Sequence, residues 1–176
     1  MFQIGDLVIY GNTGVCRVEG YTTPKECSTL KGMEESRQYY VLSPVYQNGV
    51  IYAPVENPKV FMRAVISADE ANRLIDSMPS VDAKAFHSSK MQELKAHYQA
   101  ASNTHKCADL VELSMSIYAK KQYAVQQNRK FGQVDEHYMK QTEEMLYGEF
   151  ATALGIEKAD VPTYIEDRLR GAGECE

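Results

Sequence analysis

The chain carries four histidines, His87, His97, His105 and His137, and four cysteines, Cys16, Cys27, Cys107 and Cys175, the residue types best suited to ligate a metal or attack a substrate. Their spacing argues against both uses. No H-E-x-x-H or H-x-H array gathers the imidazoles and no C-x-x-C pair gathers the thiols, so neither a zinc site nor a disulfide framework is expected. The cysteines read as reduced structural thiols, and the histidines as scattered helical residues. His105 and Cys107 are the one close pair, at a spacing from which helical side chains diverge. No G-x-G-x-x-G, Walker A or G-x-S-x-G motif occurs. Gly11-Asn12-Thr13-Gly14 is too short to cradle phosphates. The expectation is a protein that is not an enzyme, with no catalytic residue, cofactor or metal.

Two stretches point to binding instead. Between Glu112 and Asp135 there is no acid, while Lys120, Lys121, Arg129 and Lys130 lie beside Tyr123 and Phe131 as a local basic patch. A solvated helix end has the same composition. The second stretch is Ala83-Lys84-Ala85-Phe86-His87-Ser88-Ser89-Lys90, where Phe86 stands among bases at the expected start of a helix whose apolar stripe begins at Met91. Such an aromatic can serve as a wedge in a nucleic-acid duplex. It can equally serve as a hydrophobic staple that fixes the helix entry.

The elements that must position these residues fall into two regimes. Residues 1–66 read as about five short strands, a small barrel or strongly bent sheet. Phe2 to Tyr10 is a strand, Gly11 to Gly14 a turn, and Val15 to Thr22 a second strand with Gly20 marking a bulge. Pro24 to Arg37 reads as an exposed loop. Gln38 to Val55, QYYVLSPVYQNGVIYAPV, reads as a hairpin about an Asn48-Gly49 type I′ turn. Pro44 and Pro54 cannot donate to a ladder, which places this hairpin near a sheet edge, and an edge offers its hydrogen bonds to a partner strand. Val60 to Ile66 is the last strand.

The period then changes to 3.6. Ser67-Ala68-Asp69-Glu70 is a capping box that opens a helix over Ala71, Leu74, Ile75 and Met78, and Pro79 to Asp82 forms a hinge. From residue 83 to residue 176 the chain reads as all helical. Met91, Leu94 and Tyr98 mark one helix; Cys107, Leu110, Val111, Ile117 and Tyr118 a longer one; Tyr138, Thr142, Met145, Leu146, Phe150 and Ala153 a third that ends at Gly155. A final helix begins near Pro162 and closes before Gly171. The fold class is therefore α+β: a β domain over 1–66, a capping helix and hinge over 67–82, and a helical domain over 83–176. Acids and bases balance over residues 1–66, so the formal charge of −5 resides in the helical half and bulk electrostatics does not favour tight DNA binding. The sequence shows neither a membrane-spanning run nor a signal peptide, and a cytoplasmic location is expected.

The residues FQIGDLVIYGNTGVCRVEG, YYVL, VIYAPVEN, MRAVIS-ADEA and LYGEFATALG together resemble the CarD family of transcription regulators. The resemblance implies an N-terminal Tudor-like barrel, shared with the transcription-repair coupling factor, that binds the β subunit of bacterial RNA polymerase. It also implies a helical C-terminal domain that touches promoter DNA near the transcription bubble and modulates open-complex stability. On that resemblance Val50, Ile51, Tyr52, Ala53 and Pro54 line the polymerase-facing edge. Phe86 occupies the wedge position, and His87, Lys90, Lys120, Lys121, Arg129 and Lys130 are the other candidate DNA contacts. The family wedge is commonly Trp, which this chain lacks; Ser88 and Ser89 replace frequent bases, and Tyr52 replaces an Arg. The alternative is a polymerase-binding or other protein-interaction module whose helical domain recruits a protein and does not bind DNA.

Overall fold

The structure is a computed structural model and describes residues 1–173, so Cys175, expected as a reduced thiol, lies outside the described residues. The chain divides into two compact units, one spanning Met1–Val65 and the other beginning at Ile66.

The first unit is an antiparallel sheet of five strands, β1 (Leu7–Tyr10), β2 (Gly14–Thr22), β3 (Tyr39–Pro44), β4 (Ile51–Pro54) and β5 (Met62–Ala64), in the order β4-β3-β2-β1-β5. With the helices that follow, the fold class is α+β. The expected barrel is not closed, because β4 and β5 are both edges. Both are short, four and three residues, and Pro54 has no N–H to give to a closing ladder.

Sequence alternation is only a partial guide to this sheet, because it is covered on both faces. Val8 pairs with Cys16 and Ile9 with Val15, and all four are buried. Val8 and Cys16 join Val18, Tyr40, Leu42 and Ala53 in one core, while Ile9 and Val15 point to the opposite face by the two-residue period. Gly20 marks the expected bulge, where the β2–β3 register slips between Val18 and Gly20. The first strand starts later than expected, at Leu7 rather than Phe2. Ahead of it Asp6 closes a turn, its N–H donating to Gln3 O (3.0 Å) and its Oδ2 accepting from Gln3 N–H (2.7 Å). Phe2 instead packs on Tyr40 and donates its N–H to the Tyr40 hydroxyl.

The hairpin forms between β3 and β4, but not with the expected tight turn. Leu42 pairs with Ile51 and Tyr39 with Pro54, a register that centres the connection between Tyr46 and Gln47. Gly49 has φ 139°, whereas Asn48 is not in the left-handed region that a type I′ turn demands of both residues. Pro44 supplies the reason. The next ladder donor beyond Leu42 on that side of β3 would be residue 44, and proline has no N–H, so pairing stops and a longer loop follows.

The second unit contains α1 (Ala68–Ser77), α2 (Met91–Ser102), α3 (Cys107–Gln126), α4 (Gln133–Leu154) and α5 (Val161–Gly173). Ser67 caps α1, its hydroxyl accepting from Glu70 N–H at 3.1 Å. Gly155 ends α4 in the left-handed conformation (φ 68°), with Ile156 N–H donating to Ala151 O. The final helix starts as expected but continues through Gly171 to Gly173. Two apolar clusters hold the unit together. α1 contributes Ala71 and Ile75 to one, with Val111, Leu146, Phe150 and Val161. Leu94, Tyr98, Leu113, Ile117 and Tyr138 form the other, where α2, α3 and α4 meet.

Candidate functional site

The first candidate surface is the β4 edge. In an antiparallel ladder, directly opposed residues alternate between exchanging hydrogen bonds and exchanging none. Val55 N–H donates to Gln38 O at 3.0 Å, which makes Tyr40–Ala53 and Leu42–Ile51 the bonded pairs of this register and Tyr39–Pro54 and Val41–Tyr52 the non-bonded ones. The main-chain groups of Tyr52 and Pro54 therefore face away from β3, on the side where the sheet has no further strand. Pro54 costs the ladder nothing there, the placement in which an edge strand tolerates proline. Tyr52 is left with an outward N–H and C=O. Ala53 is buried; Ile51, Tyr52 and Pro54 are half-buried. Beside them Val50 is 57% exposed, and Val45 and Tyr46 in the preceding loop are also exposed.

The Tyr52 side chain is braced by the loop after β2. Its hydroxyl hydrogen-bonds the Cys27 thiol, which also meets Thr29 and the Leu30 backbone. Donation from the Tyr52 O–H stabilises the thiolate and lowers the Cys27 pKa, while the same contact raises that of Tyr52. Leu30, in the short 3-10 turn that follows Cys27, is buried. The loop expected to be merely exposed thus holds a residue of the candidate edge. A partial signal was present in the sequence, a Cys and a Leu within a mostly polar loop, although Met33 of the same loop is exposed.

The second candidate surface lies in the helical unit. Phe86 is not at a helix start: residues 81–88 form no regular element, and α2 begins at Met91. Its half-buried ring stacks on His97 of α2 (centroids 3.9 Å apart, planes within 11°) and packs against the cluster of Leu94, Tyr98, Leu113, Ile117 and Tyr138. The same segment is tied to α3 by Ser116, whose hydroxyl donates to Lys84 O at 2.7 Å. His87 is exposed and meets the Tyr123 ring edge-on, which brings it to the basic stretch of α3. Lys90 is exposed and pairs with Glu93 at 3.0 Å.

The basic patch divides. Lys121 is exposed and lies 6.0 Å from the centroid of the Phe131 ring, and Arg129 and Lys130 are exposed in the turn between α3 and α4. Lys120 is not a surface cation. Its Nζ sits 2.8 Å from Asp135 Oδ1, with the two side chains 13% and 5% exposed. The Tyr98 hydroxyl donates to the same oxygen at 2.5 Å. Burial and the Asp135 carboxylate push the Tyr98 pKa well above its ordinary value. A Cβ on Gly132, which caps α4, would lie 2.7 Å from Asp135 Oδ2, so glycine there leaves room for the carboxylate. Asp135 thus joins α2, α3 and α4 at one point.

Sequence reasoning passed over Asp135, and also Glu149. The latter is 1% exposed within α4 and accepts the Ile66 N–H at 3.1 Å. Its position was a clue, since it follows Thr142, Met145 and Leu146 on the apolar stripe.

Among the described residues no group of three or more His, Cys, Asp and Glu could hold a metal ion, and no helix is long and apolar enough to cross a membrane. His105 and Cys107 do not share a helix: His105 has φ 55° in the turn before α3, and buried Cys107 is the first residue of that helix. Burial pushes the Cys16 thiol up to about 11.

No curated protein matches the chain. A family model does, that of the CarD-like/TRCF RID domain, over residues 2–66. The matched stretch coincides with the sheet and contains β4, whereas LYGEFATALG and the rest of the helical unit lie beyond it. Residues 2–66 are therefore similar to the CarD-like/TRCF RID domain, a match that supports an RNA polymerase-interacting, transcription-related role for the sheet.

Proposed function

We propose that this protein is a bacterial, cytoplasmic transcription regulator that docks on the RNA polymerase β subunit through β4 and engages promoter DNA through its helical unit. It acts by differential binding, without catalysis, cofactor or metal. A protein that binds the open complex more tightly than the closed one shifts their ratio by that difference alone, and about 1.4 kcal/mol is a tenfold shift. The observation that carries the reading is the outward-facing main chain of Tyr52 on an uncovered edge, inside the residues that match the RID family. An edge of this kind accepts a partner strand by main-chain pairing, with alternate side chains setting specificity.

The DNA contacts proposed are Lys121, Arg129 and Lys130, with His87 and Lys90 alongside; their exposure supports this role. Lys120 is left out of the proposed set, because its ammonium is mostly buried and paired with Asp135. Phe86 is proposed as a latch for the segment before α2, since its stacked ring must leave His97 before it could enter a base step. The test is the lifetime of a competitor-challenged open complex, with full-length protein and an Arg129→Ala/Lys130→Ala variant. The reading expects the protein to change that lifetime and the variant to lose most of the change while still binding polymerase. A variant equal to the parent at every salt concentration would remove DNA from the account and favour the protein-recruiting alternative.

A further inference from the structure

The helical unit holds a groove of about 380 Å³ that no role above uses, walled by α3, α4, α5 and the turn at Met78-Pro79. Its floor is apolar and rich in methionine, with Met78, Met115 and Met139 beside Leu146, Ile165 and Leu169. Tyr118, 49% exposed, stands at its mouth. Methionine is flexible and polarizable, and grooves lined with it adapt to varied apolar side chains. The charged residues of the lining are Glu143 and Glu166, and no Lys or Arg lines it.

Glu143 is the telling residue. Its side chain is half-buried one helical turn before Tyr147, which also lines the groove, and it makes no hydrogen bond or ion pair with another described residue. Burial raises its pKa; Lys121 offsets this only through space, and Glu144 adds to it. A carboxylate placed so, half out of water and without a partner, is a site that a cation brought by a ligand would complete.

We infer that this groove receives a basic amphipathic helix of a partner protein, whose apolar anchors enter the methionine-lined floor while a Lys or Arg pairs with Glu143 and Glu166. Spacing at i, i+3 or i+4 and i+7 would present the anchors on one face. The inference does not depend on the edge strand or on DNA contact, since its residues belong to neither proposed surface.

The probe is a synthetic amphipathic peptide of about 18 residues built from Leu and Lys, with one Trp on its apolar face. The chain contains no Trp, so fluorescence reports the peptide alone. A second peptide replaces every Lys by Glu, and the protein variants are Glu143→Gln and Glu112→Gln, each removing one negative charge. Glu112 is exposed and outside the groove. The expected result is saturable binding of the Leu/Lys peptide, a Kd about tenfold weaker with Glu143→Gln, no change with Glu112→Gln, and no binding of the Leu/Glu peptide. Methionine-methyl NMR should show Met115 and Met139 shifting on binding while Met33 and Met62 stay. Equal losses in the two variants would mean general attraction to an acidic protein and would overturn the inference. So would equal binding of both peptides, shifts of the same methyls by duplex DNA alone, or concentration-dependent shifts showing a second copy in the groove.

Discussion

Lys120 and Asp135 are 15 residues apart in sequence, on different helices, and their charged atoms meet at 2.8 Å out of water. Removing one member of such a pair strands the other charge, so Asp135→Ala should lose about 3–5 kcal/mol of stability, read by urea unfolding of the full-length protein. Lys120→Met combined with Asp135→Leu should recover part of that loss, because an apolar pair leaves no charge behind, while the Tyr98 hydroxyl loses its acceptor. Glu143 gives a prediction of opposite sense. Its folded-state pKa is raised by burial, so the folded protein takes up the proton first, and stability due to this group grows as pH falls from the raised value toward the ordinary 4.5. Glu143→Gln should flatten that gain in melting temperature without lowering it at pH 7. Asp76 acts in the reverse direction: its pKa is lowered by the Arg168 hydrogen bonds, and its contribution disappears as pH falls below 3.8. At this scale the sequence displayed charges but not partners. Lys120 looked like Lys121, because the carboxylate that separates them comes from another helix.

The elements were more legible, and where they were not, one residue explains the difference. Alternation and prolines placed β3 and β4 at an edge, Gly20 placed the bulge, Ser67 the start of α1 and Gly155 the end of α4. Asn48-Gly49 misled because the β3–β4 ladder had already stopped at Pro44. The segment before α2 misled because Phe86, read as the opening of a helix, packs on His97 from an irregular stretch. That packing makes Phe86→Ala a direct test. A latch should lower the melting temperature, with a loss of roughly 1–3 kcal/mol, less than the 3–5 of a fully buried Phe, and leave open-complex lifetime little changed. A wedge should give unchanged melting and a shortened lifetime. Phe86→Trp on the same promoter would then sustain or lengthen it.

At the scale of the whole chain, the two halves have different standing. The sheet carries both the local edge geometry and the family match, and its charge is balanced. The helical half lies beyond the match and holds all of the net negative charge, with exposed cations gathered at Lys121, Arg129 and Lys130. Two-part organisation was visible in sequence as the change from a two-residue to a 3.6-residue period near Ser67. The outward direction of Tyr52 was not, because it depends on the β3–β4 register.

That direction supplies the most direct measurement: the affinity of full-length protein for the polymerase β subunit, compared between Tyr52→Pro and Tyr52→Phe. Proline at 52 deletes a main-chain donor that β3 does not use, whereas Tyr52→Phe deletes only the hydroxyl bonded to Cys27. Ile51→Pro serves as the reference for damage to the sheet itself, since it removes a donor from a bonded pair and should lower the melting temperature. Docking by strand addition predicts that Tyr52→Pro keeps its melting temperature within a few degrees yet binds at least tenfold more weakly, with Tyr52→Phe nearly unaffected. A folded Tyr52→Pro protein that binds the β subunit as tightly as the parent would contradict the account.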